Sequence, residues 1–251
     1  MILLYYKVYH NKQGKKNIMK KYIRFMTTLI IVTIFCNSLM LNVNAEEESN
    51  DSNYQNVEQQ ELTSDYNTVE RIKAREAKIE AMYKNRSVQN ARASYTIALP
   101  LRAQENTYYC GPASGKMLID YQLGNNNAWT QSKIAGYMGT TASGTTVWNA
   151  ASALRTITGL NFEAQKISEL PLINALKTDI NAYVGVMVMY NVKSMYGKTS
   201  FNHFSAAKGY SGSTVTYLDP YKFDSSMYGQ HEVSLTKMTS AITAGGGYYI
   251  W

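Results

Sequence analysis

Beyond residue 45 the chain has a single cysteine, Cys110, and two histidines, His203 and His231. A lone thiol forms no intrachain disulfide, and so sparse a set of ligating side chains makes no metal cluster. The sequence holds no internal repeat and no Gly-rich phosphate loop, which argues against nucleotide chemistry. Charge argues against nucleic-acid binding as well. The 251-residue chain carries a formal +7, yet residues 1–45 hold seven Lys and Arg and no acids. Removing those seven from the 25 basic residues leaves 18, against 18 acids. The remainder is formally neutral, so the basic signal belongs to a targeting segment.

That segment is legible residue by residue. Met19-Lys20-Lys21-Tyr22-Ile23-Arg24 is basic, residues 25–41 are mostly apolar, and Val43-Asn44-Ala45 precedes Glu46-Glu47-Glu48. This is the pattern of a secretory signal peptide cleaved after Ala45, and it predicts a secreted protein, free or associated with the cell surface. Residues 1–18 have no clear role, which makes Met19 an alternative start to Met1. The apolar run of 17 residues is at the short limit for a membrane span, so cleavage is favoured over a retained anchor. Cys36 lies in that run, outside any convincing lipobox, and leaves with it.

Three segments follow: 1–45 as signal peptide, 46–93 as leader, and 94–251 as the domain proper. Residues 46–68 are polar and acidic, with little expectation of stable structure. Residues 69–86 predict a helix with Val69, Ile72, Ile79, Met82 and Tyr83 on one stripe and a Glu80–Lys84 pair. Residues 46–91 carry ten acids and six bases, residues 92–251 eight acids and twelve bases. That opposition suggests an intramolecular pro-segment held partly by charge, as in a zymogen; a solvated tether is the alternative.

In the domain proper, residues 95–101 predict an edge strand limited by Pro100. Helices are expected from Cys110 to a cap at Gly124, over 130–138, from Val147 to a stop at Gly159, and after a Ser168 cap with Pro171 in the first turn. Strands are expected over 183–190, 203–210 and 214–218, with a short one at Val233 and Leu235 and a last one after Gly245-Gly246-Gly247. Helices first and strands second is an α+β arrangement.

The chemistry centres on Gln104-Glu105-Asn106-Thr107-Tyr108-Tyr109-Cys110-Gly111-Pro112-Ala113. A thiol at a helix start meets unpaired N–H groups and positive potential, which favour the thiolate. A cysteine nucleophile needs a base, a group orienting that base, and donors for the oxyanion. His203 opens a strand, whereas His231 lies in the polar run Gly229-Gln230-His231-Glu232. A turn centred on Ser211 and Gly212 pairs residues whose numbers sum to about 423, placing His203 opposite Asp219 or Pro220. Asp219 is thus the candidate orienter of His203, and the Gln104 amide, with the Cys110 N–H, the candidate oxyanion donor.

Gln104, Cys110-Gly111-Pro112-Ala113, His203-Phe204, Gly209-Tyr210 and Leu218-Asp219-Pro220, in that order, resemble the C39-like branch of papain-like cysteine peptidases. The resemblance runs from about Ala98 to Tyr221, and Gly144-Thr145-Thr146 before a helix adds to it. It implies a papain-like fold with the Cys110 helix packed on a sheet carrying His203 and Asp219. It also implies thiol peptidase chemistry with Gln104 at the oxyanion, a peptide or protein substrate and no cofactor. The branch that processes double-glycine leaders is usually fused to a transporter, and this chain has no such membrane domain. Lys208 is more polar than its strand position leads one to expect. The leading expectation is a secreted thiol hydrolase; a papain-fold binding or toxin-like module, or an acyl transferase with the same residues, are the alternatives.

Overall fold

The computed structural model describes residues 68–84, 93–125 and 128–251. The signal peptide, the Met19 start, Cys36 and most of the 46–93 leader lie outside the described residues. Helix α1 (Val69–Lys84) precedes β1 (Ser94–Thr96), α2 (Cys110–Leu123), α3 (Gln131–Tyr137) and α4 (Val147–Thr158). Then come β2 (Ala164–Lys166), α5 (Leu172–Asn181), β3 (Val186–Asn191), α6 (Val192–Tyr196), β4 (Asn202–Ser211) and β5 (Thr214–Asp219). The chain ends with β6 (Gly229–Ser234), α7 (Leu235–Ala244) and β7 (Tyr248–Ile250). The seven strands form one sheet in the order β2-β7-β3-β4-β5-β6, with β1 also paired to β4. Every pairing is antiparallel. Helices come first and the sheet later, the α+β arrangement that the residue pattern predicts.

Local chemistry sets the elements. Thr130, Thr146 and Ser234 cap α3, α4 and α7, their side chains accepting from Lys133 N, Asn149 N and Lys237 N. Gly159 ends α4 at φ 72°, where a side chain would be strained. Strand β3 is buried at every residue but its last. It therefore reads as a continuous apolar run rather than an alternation. The α2 residues Met117, Leu118 and Ile119 join it in the core, and α2 packs on β4. This contact sets the start of α2 against the strand that carries His203.

Several expected boundaries shift. The cap of α5 is Pro171, and Ser168 lies in a turn before it. Strand β3 begins at Val186, because Tyr183 turns the chain at φ 61°. The short strand at Val233 is β6, but Leu235 opens a helix instead. Along α1 the apolar stripe is buried only in part: Met82 is buried and Ile79 packs against the core, while Val69, Ile72 and Tyr83 are exposed and Arg75 is buried in their place. The helix docks through long cationic side chains, whose stems pack while their heads bond. Arg71 reaches Glu163 at 2.8 Å, and Lys78 reaches Asn161 O at 2.9 Å and Asp179 at 3.5 Å. The Lys78 ammonium also sits 4.4 Å from the centre of the Trp251 ring. The Glu80–Lys84 pair forms at 3.0 Å on the exposed side.

The β4–β5 hairpin turns on Gly212 and Ser213, one residue later than the simple count assumes. Ser211 pairs with Thr214, Tyr210 with Val215 and Gly209 with Thr216. A register shift between Ala207 and Gly209 then pairs Ala207 with Tyr217 and Ala206 with Leu218. Lys208 is the extra residue of that irregularity, which accounts for its polar side chain in an otherwise buried strand. Continued, the register sets Ser205 opposite Asp219. His203 lies two residues further on the same face and reaches Asp219 diagonally.

Candidate active site

Cys110 is the first residue of α2, and the preceding Tyr109 makes no side-chain capping bond. The leading N–H groups of the helix have no acceptor within it, so they face the thiol and its surroundings. The next residue must be small, because a Cβ at Gly111 would stand 2.5 Å from Thr145 Oγ1. The loop carrying Thr145 therefore closes directly on the helix start. Cys110 keeps 8% of its surface exposed, while His203 keeps 1% and Gln104 and Asp219 none. Cys110 keeps a small opening to solvent, and the groups behind it are sealed.

The Cys110 thiol lies beside the His203 ring, close enough for each to shift the other's protonation. His203 Nε2 is 2.9 Å from Asp219 Oδ1, which leaves Nδ1 for the sulfur. Burial pushes the thiol up, but the His203 bond and charge, with the N–H groups of Phe204 and Gly111, outweigh it and the thiol lies below its ordinary range. Burial pushes His203 down, yet its bonds to Asp219 and Cys110 bring it up to about 9. Both shifts favour the same state, a thiolate beside an imidazolium.

Asp219 is more heavily held than a spacing argument suggests. Oδ1 accepts from His203 Nε2 and from Tyr221 N, each at 2.9 Å. Oδ2 accepts from Tyr190 Oη at 2.6 Å and Tyr196 Oη at 2.9 Å. Burial alone raises a carboxyl, but here the bonds from His203, Tyr190 and Tyr221 N keep Asp219 below its usual range. Tyr190, Tyr196, Tyr217 and Ser205 have no signal in the local sequence. One cue exists after the fact: Tyr190 pairs with His203 across β3 and β4.

Gln104 lies in the segment before α2, fully buried. Its Nε2 donates to Asn106 O at 2.8 Å, so the amide is oriented with nitrogen on that side. An amide nitrogen has two protons, and the second remains for another acceptor. Oε1 has no hydrogen-bond partner. The backbone around Gln104 is braced at three points. Gln104 N donates to Pro220 O at 2.9 Å, Gln131 Nε2 to Ala103 O at 2.7 Å, and Glu105 N to Gln131 Oε1 at 3.0 Å. Gln131, on α3, is a further residue that sequence reasoning missed.

All four singled-out residues are thus placed by α2, the β4–β5 hairpin and the segment tied to its end. His231 is elsewhere: it sits on β6, its Nε2 donating to Met227 O at 2.6 Å. A shallow depression lies under α1, lined by Arg71, Arg75, Trp148, Arg155 and Glu163. It contains none of the four. No group of three His, Cys, Asp or Glu fit to hold a metal occurs among the described residues. No described helix is long and apolar enough to cross a membrane.

A family model described as Peptidase_C39 like matches residues 96–241. No curated protein matches the chain. Three solved structures are similar. One is a Bacillus anthracis protein described as a C39-like peptidase, 16% identical over 62% of this chain and 96% of that one, with TM-score 0.48. The second is the peptidase domain of Streptococcus ComA, a bifunctional ABC transporter of a quorum-sensing pathway, 18% identical over 61% and 97%, TM-score 0.41. The third is the Carica candamarcensis cysteine protease CMS1MS2 in complex with E-64, 11% identical over 64% and 97%, TM-score 0.45.

Proposed function

The chain belongs to the Peptidase_C39 like family, and from that premise we propose that it is an exported thiol peptidase working through Cys110, His203, Asp219 and Gln104. The observation that carries the reading is one continuous line, Cys110 beside His203 and His203 bonded to Asp219, beginning at an uncapped helix start. His203 takes the thiol proton and holds it as imidazolium, with Asp219 fixing the ring through Nε2. The thiolate attacks the substrate carbonyl carbon. The carbonyl oxygen gains the charge and is met by the Cys110 N–H and the free proton of Gln104 Nε2. The tetrahedral intermediate collapses to a thioester as His203 gives its proton to the leaving amine. Water, deprotonated by His203, then attacks the thioester and restores the thiol.

Export rests on the basic, apolar and Val43-Asn44-Ala45 pattern. It requires the secreted protein to begin at Glu46 when its N-terminus is sequenced. The test of the chemistry is an unbiased peptide-cleavage profile of the purified protein under reducing conditions, beside Cys110→Ala. Loss of all cleavage in the variant, with an unchanged melting temperature, is expected. Equal cleavage by both would show that Cys110 is not the nucleophile.

A further inference from the structure

Resting on that reading of the site, we propose that Tyr190 and Tyr196 are positioning residues, which lock the Asp219 carboxylate so that Oδ1 faces His203. The torsion that turns an aspartate carboxylate is soft and roughly two-fold, so its own rotamer does not fix which oxygen points where. A carboxylate offers about four acceptor sites. Here all four are taken, and the two oxygens have separate partners. Oδ1 serves His203 and Tyr221 N. Oδ2 is held by Tyr190 from β3 and Tyr196 from α6, two elements apart from the hairpin that carries Asp219. Rotation of the carboxylate would break both tyrosine bonds together.

The direction of the hydroxyl protons is fixed as well. Each phenol has one proton. Tyr190 gives its proton to Asp219, so the 2.9 Å contact with Ser205 Oγ requires Ser205 to donate to Tyr190. By the same logic Tyr217 Oη donates to Tyr196 across 2.9 Å. Ser205 and Tyr217 therefore back two donors that converge on one carboxylate. The titratable groups facing this network are Cys110 from α2, His203 from β4, Tyr217 from β5 and His231 from β6. The His231 ring lies tilted against Tyr217 and edge-on to Tyr196, with centroids 5.4 and 6.0 Å away, and its Nε2 proton is engaged by Met227 O. Among the described residues no Lys or Arg forms an ion pair with Asp219.

The test reads the thiol directly and needs no substrate. Alkylation of the full chain by iodoacetamide at pH 6 is followed on the Cys110 peptide by mass spectrometry. Variants are Tyr190→Phe, Tyr196→Phe, the double, and Tyr210→Phe as control. Tyr210 is as buried as Tyr190 and bonds Asn181 Oδ1 at 3.1 Å, away from Asp219. A bond to a charged partner outweighs one between neutral groups, so each single variant should slow alkylation about tenfold and the double further. Tyr210→Phe should match wild type. In an Asp219→Asn background the tyrosine substitutions should change nothing more, the signature of action through Asp219. Melting curves verify folding, and the single variants carry the test if the double does not fold. A fast wild type with equally fast tyrosine variants overturns the positioning role alone. Equal slowing by Tyr210→Phe, or undiminished slowing in the Asp219→Asn background, also overturns it. A wild type that alkylates no faster than a free thiol overturns the thiol chemistry itself, and this inference with it.

Discussion

At the active site Asp219 is paired with His203; under α1, Asp179 is paired with Lys78. Burial opposes charge at both places, yet the outcomes have opposite sign. Asp219 ends below its usual range and His203 rises to about 9, so that pair is held ionised. Asp179 is raised by burial and Lys78 lowered by it, so that pair is pushed toward neutrality. The difference lies in the donors. Asp219 accepts from two side chains and a backbone N–H besides His203. Asp179 Oδ2 has only the 3.5 Å approach of Lys78 and no hydrogen bond. A buried charge stays charged when its lone pairs are filled, and a single distant counter-ion does not do that. The first pair lies within the domain. The second joins the domain to α1 of the leader.

The strongest way to break the comparison is to neutralise each aspartate in turn. Asp219→Asn should lower kcat/KM by about a thousandfold or more, because a neutral amide no longer supports the imidazolium. Asp179→Asn should leave kcat/KM unchanged within a factor of about two. Peptide hydrolysis by the two purified variants, with melting curves to verify folding, checks both. Equal losses would mean that the active-site pair is no more than a structural one.

What was legible in the sequence follows the same division. Cys110 at a helix start, the Gly124 end of that helix and the return of His203 and Asp219 on one hairpin are local features, set by caps, turns and spacing. The contacts that separate the two aspartates are not local. Tyr190 and Tyr196 come from β3 and α6, and nothing near Asp219 in the chain points to them. The turn falls on Gly212 and Ser213 rather than Ser211 and Gly212, and the Lys208 irregularity only partly offsets that shift, so the count reaches the right partner for His203 but not the residue opposite it. The short, threonine-rich α7 buries only Met238, Ala241 and Ile242. That is too brief a stripe to separate from a strand tail. The stripe on α1 was legible only in part: Ile79 and Met82 pack inward as it implies, while Val69, Ile72 and Tyr83 stay exposed because cations dock the rest of the helix.

pH separates the pairs next. His203, raised to about 9, contributes stability that is full below its unfolded value near 6.5 and is lost as pH rises through about 9. Loss of the imidazolium also removes the partner of the thiolate, so kcat/KM should fall roughly tenfold per unit above about 9. Asp219, lowered, contributes stability above its unfolded value near 3.9 that is lost as pH falls below it. Asp179, raised, has the opposite sign: it binds a proton more readily folded than unfolded, so protonating it stabilises the fold. Thermal melts of wild type and Asp179→Asn from pH 7 to 4 measure this. The variant should lack part of the acid-side gain, and identical slopes would remove the contrast.

The smallest effect on activity, and the sharpest test of the α1 pair, comes from Lys78. Lys78→Met keeps an apolar stem against the Trp251 ring but leaves Asp179 buried without its counter-ion. Stranding one partner of a buried pair costs about 3 kcal/mol, which in a chain of this size lowers the melting temperature by roughly 6–12 °C. Adding Asp179→Asn removes the stranded charge and should restore most of that loss, because replacing a whole buried pair is often close to neutral. Throughout, kcat/KM per folded molecule should hold. The matching pair of changes at His203 and Asp219 has no such rescue, since there the charges are part of the reaction. If the Lys78→Met loss persists in the double variant, α1 is held by packing and by Arg71–Glu163 at 2.8 Å, and the Lys78 pair contributes little.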